Sequence, residues 1–260
     1  MSQDVLWEGE TTYGHYQVVD TLYDGRPARV LYSGNRQAAQ SGVAKDDKPD
    51  LLFDYNQRMF ELANALVPKT ILLIGGGVGT LPMALRATIP GVRIDMVEPD
   101  TGLTKLAYRF FNLPVDEALQ IFNTDGRTFL REHATRYDMI LLDAFNHTTI
   151  PMELMTLQAF EAYKKHLNPS GVFIANVISG YYGPGAHVLR QMYAAALQSF
   201  ETLDIFLASR GYSLWLPQNF VLTAQRDTDL PLKDYVRHEA VAPPEVRPDD
   251  ALQDEPNASR

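Results

Sequence analysis

The stretch "TILLIGGGVGTLPMALRA" (Thr70 to Ala87) decides the fold. It opens with a run of branched apolar residues, which is typical of a buried strand, passes through a glycine-rich turn, and ends in a helical stretch. Glycines at such a turn let the backbone approach a ligand closely, and the first N–H groups of the helix lie free beside it. The alternative is a tight strand-to-helix turn that holds no ligand.

The glycine turn fits neither of two common phosphate-binding patterns. A P-loop would end in Gly-Lys-Ser/Thr, which is absent, and the dinucleotide pattern G-x-G-x-x-G, counted from Gly75, has Thr80 at its last position. The spacing G-x-G-x-G fits better, and class I S-adenosylmethionine-dependent enzymes use that form. The candidate ligand contacts in the turn are Gly75, Gly76, Gly77 and Gly79.

From Thr70 onward, strand-like runs alternate with helical stretches. The runs are "TILLIG", "VRIDMVE", "LQIFNT", "YDMILLDAF" and "GVFIANVIS", and the helical stretches are 81–88, 101–111, 126–133, 152–166 and 186–200. Such alternation predicts right-handed crossovers and a mostly parallel sheet. Two further runs, "LDIFLAS" and "NFVLTAQ", suggest an antiparallel edge. We therefore predict an α/β, Rossmann-like fold with a mostly parallel seven-stranded sheet.

The rest of the chain divides into two smaller parts. Residues 1–50 are predicted to form a β-rich subdomain, with a hairpin around the turn signal Asp24-Gly25 and a polar loop over 42–50. Residues 51–230 would be the nucleoside-binding catalytic domain, which starts with a helix. Residues 231–260 are proline-rich and acidic, and we expect this tail to be loosely draped.

Composition excludes several classes of function. The 260 residues carry a formal net charge of −9, so nothing suggests a nucleic-acid partner. There is no cysteine, which rules out disulfides, thiolate metal sites and cysteine nucleophiles, and the six histidines show no ligand spacing, so no metal is predicted. The N-terminus does not resemble a signal peptide and no apolar run is long enough to cross a bilayer, so we expect a cytoplasmic protein without a membrane partner.

Two carboxylates follow the next strands at the expected positions. Glu98 closes the second strand, where a carboxylate can accept both ribose hydroxyls; the alternative is a surface acid at a strand end. Asp125, with Gly126 beside it, follows the third strand and could accept from the exocyclic amine of adenine; the alternative is a helix N-cap, and Asp could do both. Together with the turn they describe a pocket for an adenine nucleoside.

The motifs "ILLIGGGVGT", "VEPD", "NTDGRTFL", "YDMILLDAF" and "NPSGVFIANV" resemble, in order and spacing, the spermidine synthase family of polyamine aminopropyltransferases. The resemblance implies a class I methyltransferase-like fold behind a small β subdomain, and a nucleoside contact at Gln37. It also implies transfer of an aminopropyl group from decarboxylated S-adenosylmethionine to a small amine acceptor, with a homodimer possible in this family. Asp143 matches the first acid of the family's D-S-S-D segment. The resemblance implies that Asp143 contacts the nucleoside and also belongs to the catalytic site.

The sequence departs from the family on the amine side. Val78 replaces the Asp of "GGGDG", which suggests a site that no longer demands a cationic aminopropyl tail, and Asn146 replaces the catalytic last Asp of D-S-S-D. The family's "YHEM" segment is displaced, with Tyr55 one position early. We name Asp143, Asn146 and His147 as catalytic candidates; His147 could equally be a solvated loop residue.

These departures leave two alternatives to aminopropyl transfer. One is a methyltransferase that uses S-adenosylmethionine on the same fold. The other is a nucleoside-binding homologue whose catalysis has decayed. The acceptor itself could be an amine or another small molecule.

Overall fold

The computed structural model describes residues 4–34, 36, 38–46, 51–145, 150–209, 213–225 and 240–254, which build two sheets. The N-terminal sheet is antiparallel, in the order β1 (Asp4–Glu10), β2 (His15–Tyr23), β3 (Arg26–Ser33) and β4 (Ala38–Ala44). The predicted hairpin joins β2 to β3, with Asp24 and Gly25 both at positive φ, as a tight hairpin turn requires. The predicted loop over 42–50 was wrong at its start, because residues 42–44 belong to β4.

The second sheet has the order β12-β10-β11-β9-β8-β5-β6-β7. Strands β9, β8, β5, β6 and β7 run parallel, and β11 lies antiparallel between β9 and β10. This confirms the predicted fold, with the two-residue β12 added to the seven expected strands. The elements are α1 (Asp54–Leu66), β5 (Thr70–Ile74), α2 (Thr80–Thr88), β6 (Arg93–Val97), α3 (Thr101–Phe110), β7 (Leu119–Phe122), α4 (Gly126–Glu132), β8 (Tyr137–Leu142), α5 (Leu157–Lys165), β9 (Leu167–Ser179), α6 (His187–Ser199), β10 (Thr202–Leu207), β11 (Gln218–Gln225) and β12 (Ala240–Val241).

The central strands are buried on both faces. In β5, Ile71 and Leu73 belong to one hydrophobic cluster, whereas Leu72 and Ile74 belong to the other. Continuous apolar runs of this kind are what a parallel sheet covered by helices on both sides requires. None of the described helices has the length and apolarity needed to span a membrane.

One predicted helix is divided. Instead of a single helix over 152–166, a 3-10 turn at Met152–Leu154 precedes α5. Thr156 stays extended and its side chain accepts from the Ala159 N–H, so it caps α5 and sets the start of that helix.

The tail differs from the expectation over residues 240–254. This segment is not loosely draped: β12 pairs with β10, Ala251 is buried, and Val241 and Leu252 pack against the core. A few apolar residues are enough to hold this segment against the core, although its overall composition is proline-rich and acidic.

Candidate functional site

A cavity of about 690 Å³ opens at the carboxyl ends of the parallel strands. Most of the predicted nucleoside contacts line it: Gly75, Gly76, Gly77, Glu98, Asp125, Gly126 and Asp143. Gly79 instead lies at the N-cap of α2. Gln37, Asn146 and His147 lie outside the described residues. The structure thus brings the predicted residues around one hollow, and their contacts with a ligand stay a prediction.

The glycine turn is held tightly between β6 and β8. The Gly75 N–H donates to the Val97 carbonyl at 2.9 Å, and the Asp143 N–H donates to the Ile74 carbonyl at 2.9 Å. Gly75 has a φ of 85°, and a Cβ there would lie 2.5 Å from the Asp143 carbonyl oxygen, so a larger residue would push the turn away from β8. The sequence pattern therefore has a steric cause at this position.

Glu98 lies directly under the turn. Its side chain is buried, Oε2 accepts from the Gly77 N–H at 2.9 Å, and Oε1 accepts from the Asp100 N–H at 2.9 Å. The alternative of a surface acid is therefore wrong. Burial raises the pKa of Glu98 to about 7, against the opposing effect of these backbone donors. Since a carboxylate oxygen can accept more than one hydrogen bond, Glu98 can brace the turn and still accept from a ribose hydroxyl.

Asp125 has the cap role that the sequence suggested. It is the N-cap of α4 and accepts from the Thr128 N–H at 2.8 Å, while it also lines the cavity. Burial would raise the pKa of Asp125, but hydrogen bonds from Thr128 and from the Arg127 backbone outweigh burial and lower it. Asp125 is thus an ionised acceptor at neutral pH.

Asp143 is the centre of a partly buried polar network. It accepts from Asn176 Nδ2 at 3.0 Å and from the Tyr55 hydroxyl, and Asn219 Nδ2 donates to Asn176 Oδ1 at 2.8 Å. Burial raises the pKa of Asp143 to about 7, although both donors favour the charged form. The sequence analysis missed Tyr55, Asn176 and Asn219 as site residues. A signal existed for Asn176, because a polar residue inside an apolar strand needs a partner.

The wall around Tyr55 is aromatic and polar. The Phe53 ring stacks on Tyr55 with centroids 6.1 Å apart and meets Tyr23 edge-on at 5.0 Å. Asn56 is buried and lines the cavity, and its Oδ1 has no hydrogen-bond partner among the described residues. A buried acceptor of this kind calls for a donor, which a bound ligand could supply.

The cavity is strongly acidic. None of its described lining residues is Lys, Arg or His, whereas its carboxylates are Asp24, Asp54, Glu98, Asp100, Asp125, Asp143 and Glu153. A cleft lined by one sign of charge concentrates ligands of the opposite sign, so this cavity favours a cation. Across the described part of the chain, no group of three or more His, Asp or Glu side chains is placed to hold a metal ion.

Val78 belongs to the core and not to the cavity wall. Its side chain is fully buried in the cluster that also contains Leu81, Leu85 and Leu113. The replacement of the family's Asp therefore extends the hydrophobic packing under the turn. That the site no longer demands a cationic aminopropyl tail stays a prediction from the sequence.

We predict that Val78→Asp destabilises the fold. A carboxylate buried among leucines without a partner should lower the free energy of unfolding by about 3 kcal/mol or more. Urea denaturation measures this, with Val78→Ala as the control for lost packing volume. A Val78→Asp variant as stable as Val78→Ala would show that position 78 has access to solvent or to a polar partner.

We also predict that stability falls as pH rises from about 5 to 8. Glu98 and Asp143 both have folded-state pKa values of about 7, above their ordinary values, so the folded state binds more protons in this window than the unfolded state. Each group should contribute at most about 1.4 kcal/mol per pH unit, between its ordinary and its raised pKa, and progressively less as the pH passes 7. Denaturation curves at a series of pH values give the slope, which Glu98→Gln and Asp143→Asn should each flatten. Unchanged slopes in both variants would contradict the raised pKa values.

The fold and the site together define a class of protein. A glycine turn after the first strand of the parallel sheet, with carboxylates at the ends of the next strands, is the arrangement of a Rossmann-like, class I methyltransferase-like protein. Residues 53–182 match the model of the spermine/spermidine synthase domain, and the chain belongs to that family.

Individual relatives agree with this assignment. A probable polyamine aminopropyl transferase of Bifidobacterium longum is 31% identical over 67% of this chain and 37% of its own length. The chain spans between 37% and 59% of the first curated relatives that it matches.

Solved structures agree on the fold. A probable spermidine synthase from Corynebacterium glutamicum has a TM-score of 0.76 at 18% identity, covering 88% of this chain and 83% of its own. A spermidine synthase in complex with the transition-state analogue AdoDATO has a TM-score of 0.69 at 20% identity. The match covers 88% of this chain and 76% of the synthase chain.

Proposed function

We propose that this protein transfers an aminopropyl group from decarboxylated S-adenosylmethionine to an amine acceptor. The observation that carries the proposal is the acidic cavity, in which the partly buried Asp143 accepts a hydrogen bond from Tyr55, a residue of the aromatic wall. Both substrates of this reaction are cations. The family assignment supports the same reaction, and so does the transition-state analogue in the related spermidine synthase.

The nucleoside side of the cavity suits an adenosine sulfonium. Glu98 would accept from the ribose hydroxyls and Asp125 from the exocyclic amine of adenine, while Gly77, with a φ of 52°, lets the turn lie close to the sulfur. A sulfonium is already a good leaving group, so the protein needs to hold the two reactants in line and need not activate the donor.

The amine side suits a nucleophile that must lose a proton. An ammonium cannot attack, so its proton must pass to a base before or during transfer. Asp143 can accept that proton near neutral pH because its pKa is about 7, and Tyr55 orients the carboxylate by donating to it. The amine nitrogen then bonds to the aminopropyl carbon that is attached to the sulfur. The bond between that carbon and the sulfur breaks, its electron pair stays on the sulfur, and methylthioadenosine leaves.

The outer carboxylates suit the rest of the acceptor. Asp24, Asp54 and Glu153 line the same cavity, and Asn56 Oδ1 offers a buried acceptor for an N–H group. This favours a small polyamine over a neutral acceptor. A homodimer in the cytoplasm stays a prediction from the sequence.

We predict that the decarboxylated donor binds best. The carboxylate of S-adenosylmethionine would meet the acidic lining, so its Kd should be about tenfold higher than that of the decarboxylated form. Isothermal titration with both compounds and with methylthioadenosine tests this, and Glu98→Ala should abolish binding of all three. Preference for S-adenosylmethionine together with methyl transfer would instead assign a methyltransferase. Binding without turnover on any polyamine would assign a decayed homologue.

We predict that Asp143→Asn lowers the transfer rate about 100-fold or more, because the amine then lacks its base. Tyr55→Phe should lower it about tenfold, since the carboxylate loses one orienting hydrogen bond. Formation of methylthioadenosine from the decarboxylated donor and a polyamine gives the rates. The matched control is Asp54→Asn, which removes a charge at the same cavity and should mainly raise the KM for the amine. Full activity of Asp143→Asn would remove Asp143 from the mechanism.

A further inference from the structure

We propose that Asp254 is a positioning residue for the nucleoside side of the site, acting through α4 and α5. The inference rests on the function proposed above, because it concerns the same cavity. Asp254 belongs to the docked C-terminal segment 240–254, which lies outside the residues that match the family domain, 53–182.

The Asp254 carboxylate joins the first turns of two helices. One oxygen, Oδ2, accepts from Arg127 Nη2 on α4, and the other, Oδ1, accepts from the Thr156 hydroxyl at 2.5 Å. Thr156 is the N-cap of α5. A single carboxylate therefore ties the start of α4 to the start of α5 by hydrogen bonds, one of them an ion pair.

Further hydrogen bonds, from backbone and side-chain groups, fix the segment in this place. The Leu157 N–H donates to the Leu252 carbonyl at 2.8 Å, the Asp254 N–H donates to Gln158 Oε1 at 2.9 Å, and Gln158 Nε2 donates to Gln253 Oε1 at 2.9 Å. Leu252 thus satisfies one of the free N–H groups of α5, and the nearby negative charge of Asp254 suits the positive end of the helix dipole.

Both helix starts continue into the cavity wall. Asp125 and Gly126, which directly precede Arg127, line the cavity, and so do Glu153 and Leu154 in the turn before Thr156. The two walls are also in contact, since a Cβ at Gly126 would lie 3.3 Å from a Leu154 methyl carbon. The spacing of these walls therefore depends on the bridge behind them.

Arg127 explains why a carboxylate is needed at this point. Its Nη1 is buried and has no hydrogen-bond partner among the described residues, so the guanidinium is only partly satisfied. Asp254 compensates its charge, and its loss would leave a part-buried cation free to draw the first turn of α4 out of place.

The test is Asp254→Asn in the full chain, with the Kd of methylthioadenosine and the KM of the amine as readouts. We expect the nucleoside Kd to rise about fivefold or more, because Asp125 and Gly126 directly precede the bridged Arg127. The amine KM should rise less, within about twofold, because Glu153 is the acceptor carboxylate nearest the bridge along the chain, whereas Asp24 and Asp54 lie on other segments. The matched control is Asp249→Asn, the same change at an exposed position of the same segment, which should leave both values unchanged. Asp254→Glu, which keeps the charge, should return the Kd to within about twofold of the wild type.

An unchanged nucleoside Kd in folded Asp254→Asn, or an equal rise in Asp249→Asn, would overturn the inference. If Asp254→Asn does not fold, Arg127→Lys keeps the charge but loses the Nη2 contact, and the same comparison applies with the same two outcomes. The proposed function fails separately, because its failure would appear as an absence of aminopropyl transfer in the wild-type protein, whereas the comparison of methylthioadenosine Kd values needs no turnover.

Discussion

The hydrogen bond from the Gly77 N–H to the buried carboxylate of Glu98 is the contact on which the rest of the site depends. A glycine turn has wide conformational freedom, and here the hydrogen-bond acceptor beneath it, the Glu98 carboxylate, selects one conformation. The same carboxylate accepts from the Asp100 N–H, so the ends of β5 and β6 are fixed relative to each other. A ligand at this turn meets a surface that is already arranged, and little ordering entropy is lost on binding.

Glu98 and Asp143 share a burial-raised pKa and differ in what surrounds them. Backbone N–H groups hold Glu98, and such donors neither gain nor lose protons, which suits a binding role. Side chains hold Asp143, namely a tyrosine hydroxyl and an amide that is itself held by Asn219. These side chains can adjust as a proton arrives, which suits a base. The two proposed roles therefore rest on the chemistry of the donors more than on the degree of burial.

The sequence was informative for site residues that directly follow a strand of the parallel sheet. The glycine turn, Glu98 and Asp125 could be located because parallel strands bring their carboxyl ends to one edge of the sheet. Asn219 could not, because its partner Asn176 is reached only through the pairing of β9 with β11, which no local pattern encodes. Tyr55 was displaced by one position in the family motif, and only the start of α1 at Asp54 brings it to Asp143.

The same limit applies to the place of Val78 in the fold. A family position that changes from acid to valine appears, in sequence alone, as a loss of charge from the site. In the fold that side chain lies in the core under the turn. The negative potential of the cavity comes from carboxylates contributed by six separate segments: the β2–β3 turn, the start of α1, the ends of β6 and β8, and the segments that precede α4 and α5. A field summed over many groups changes little when one of them is absent, whereas a single buried base cannot be replaced by distant charges. Electrostatic attraction for a cation should therefore be robust to substitution in this protein, whereas the proposed transfer would depend far more narrowly on Asp143 and its donors.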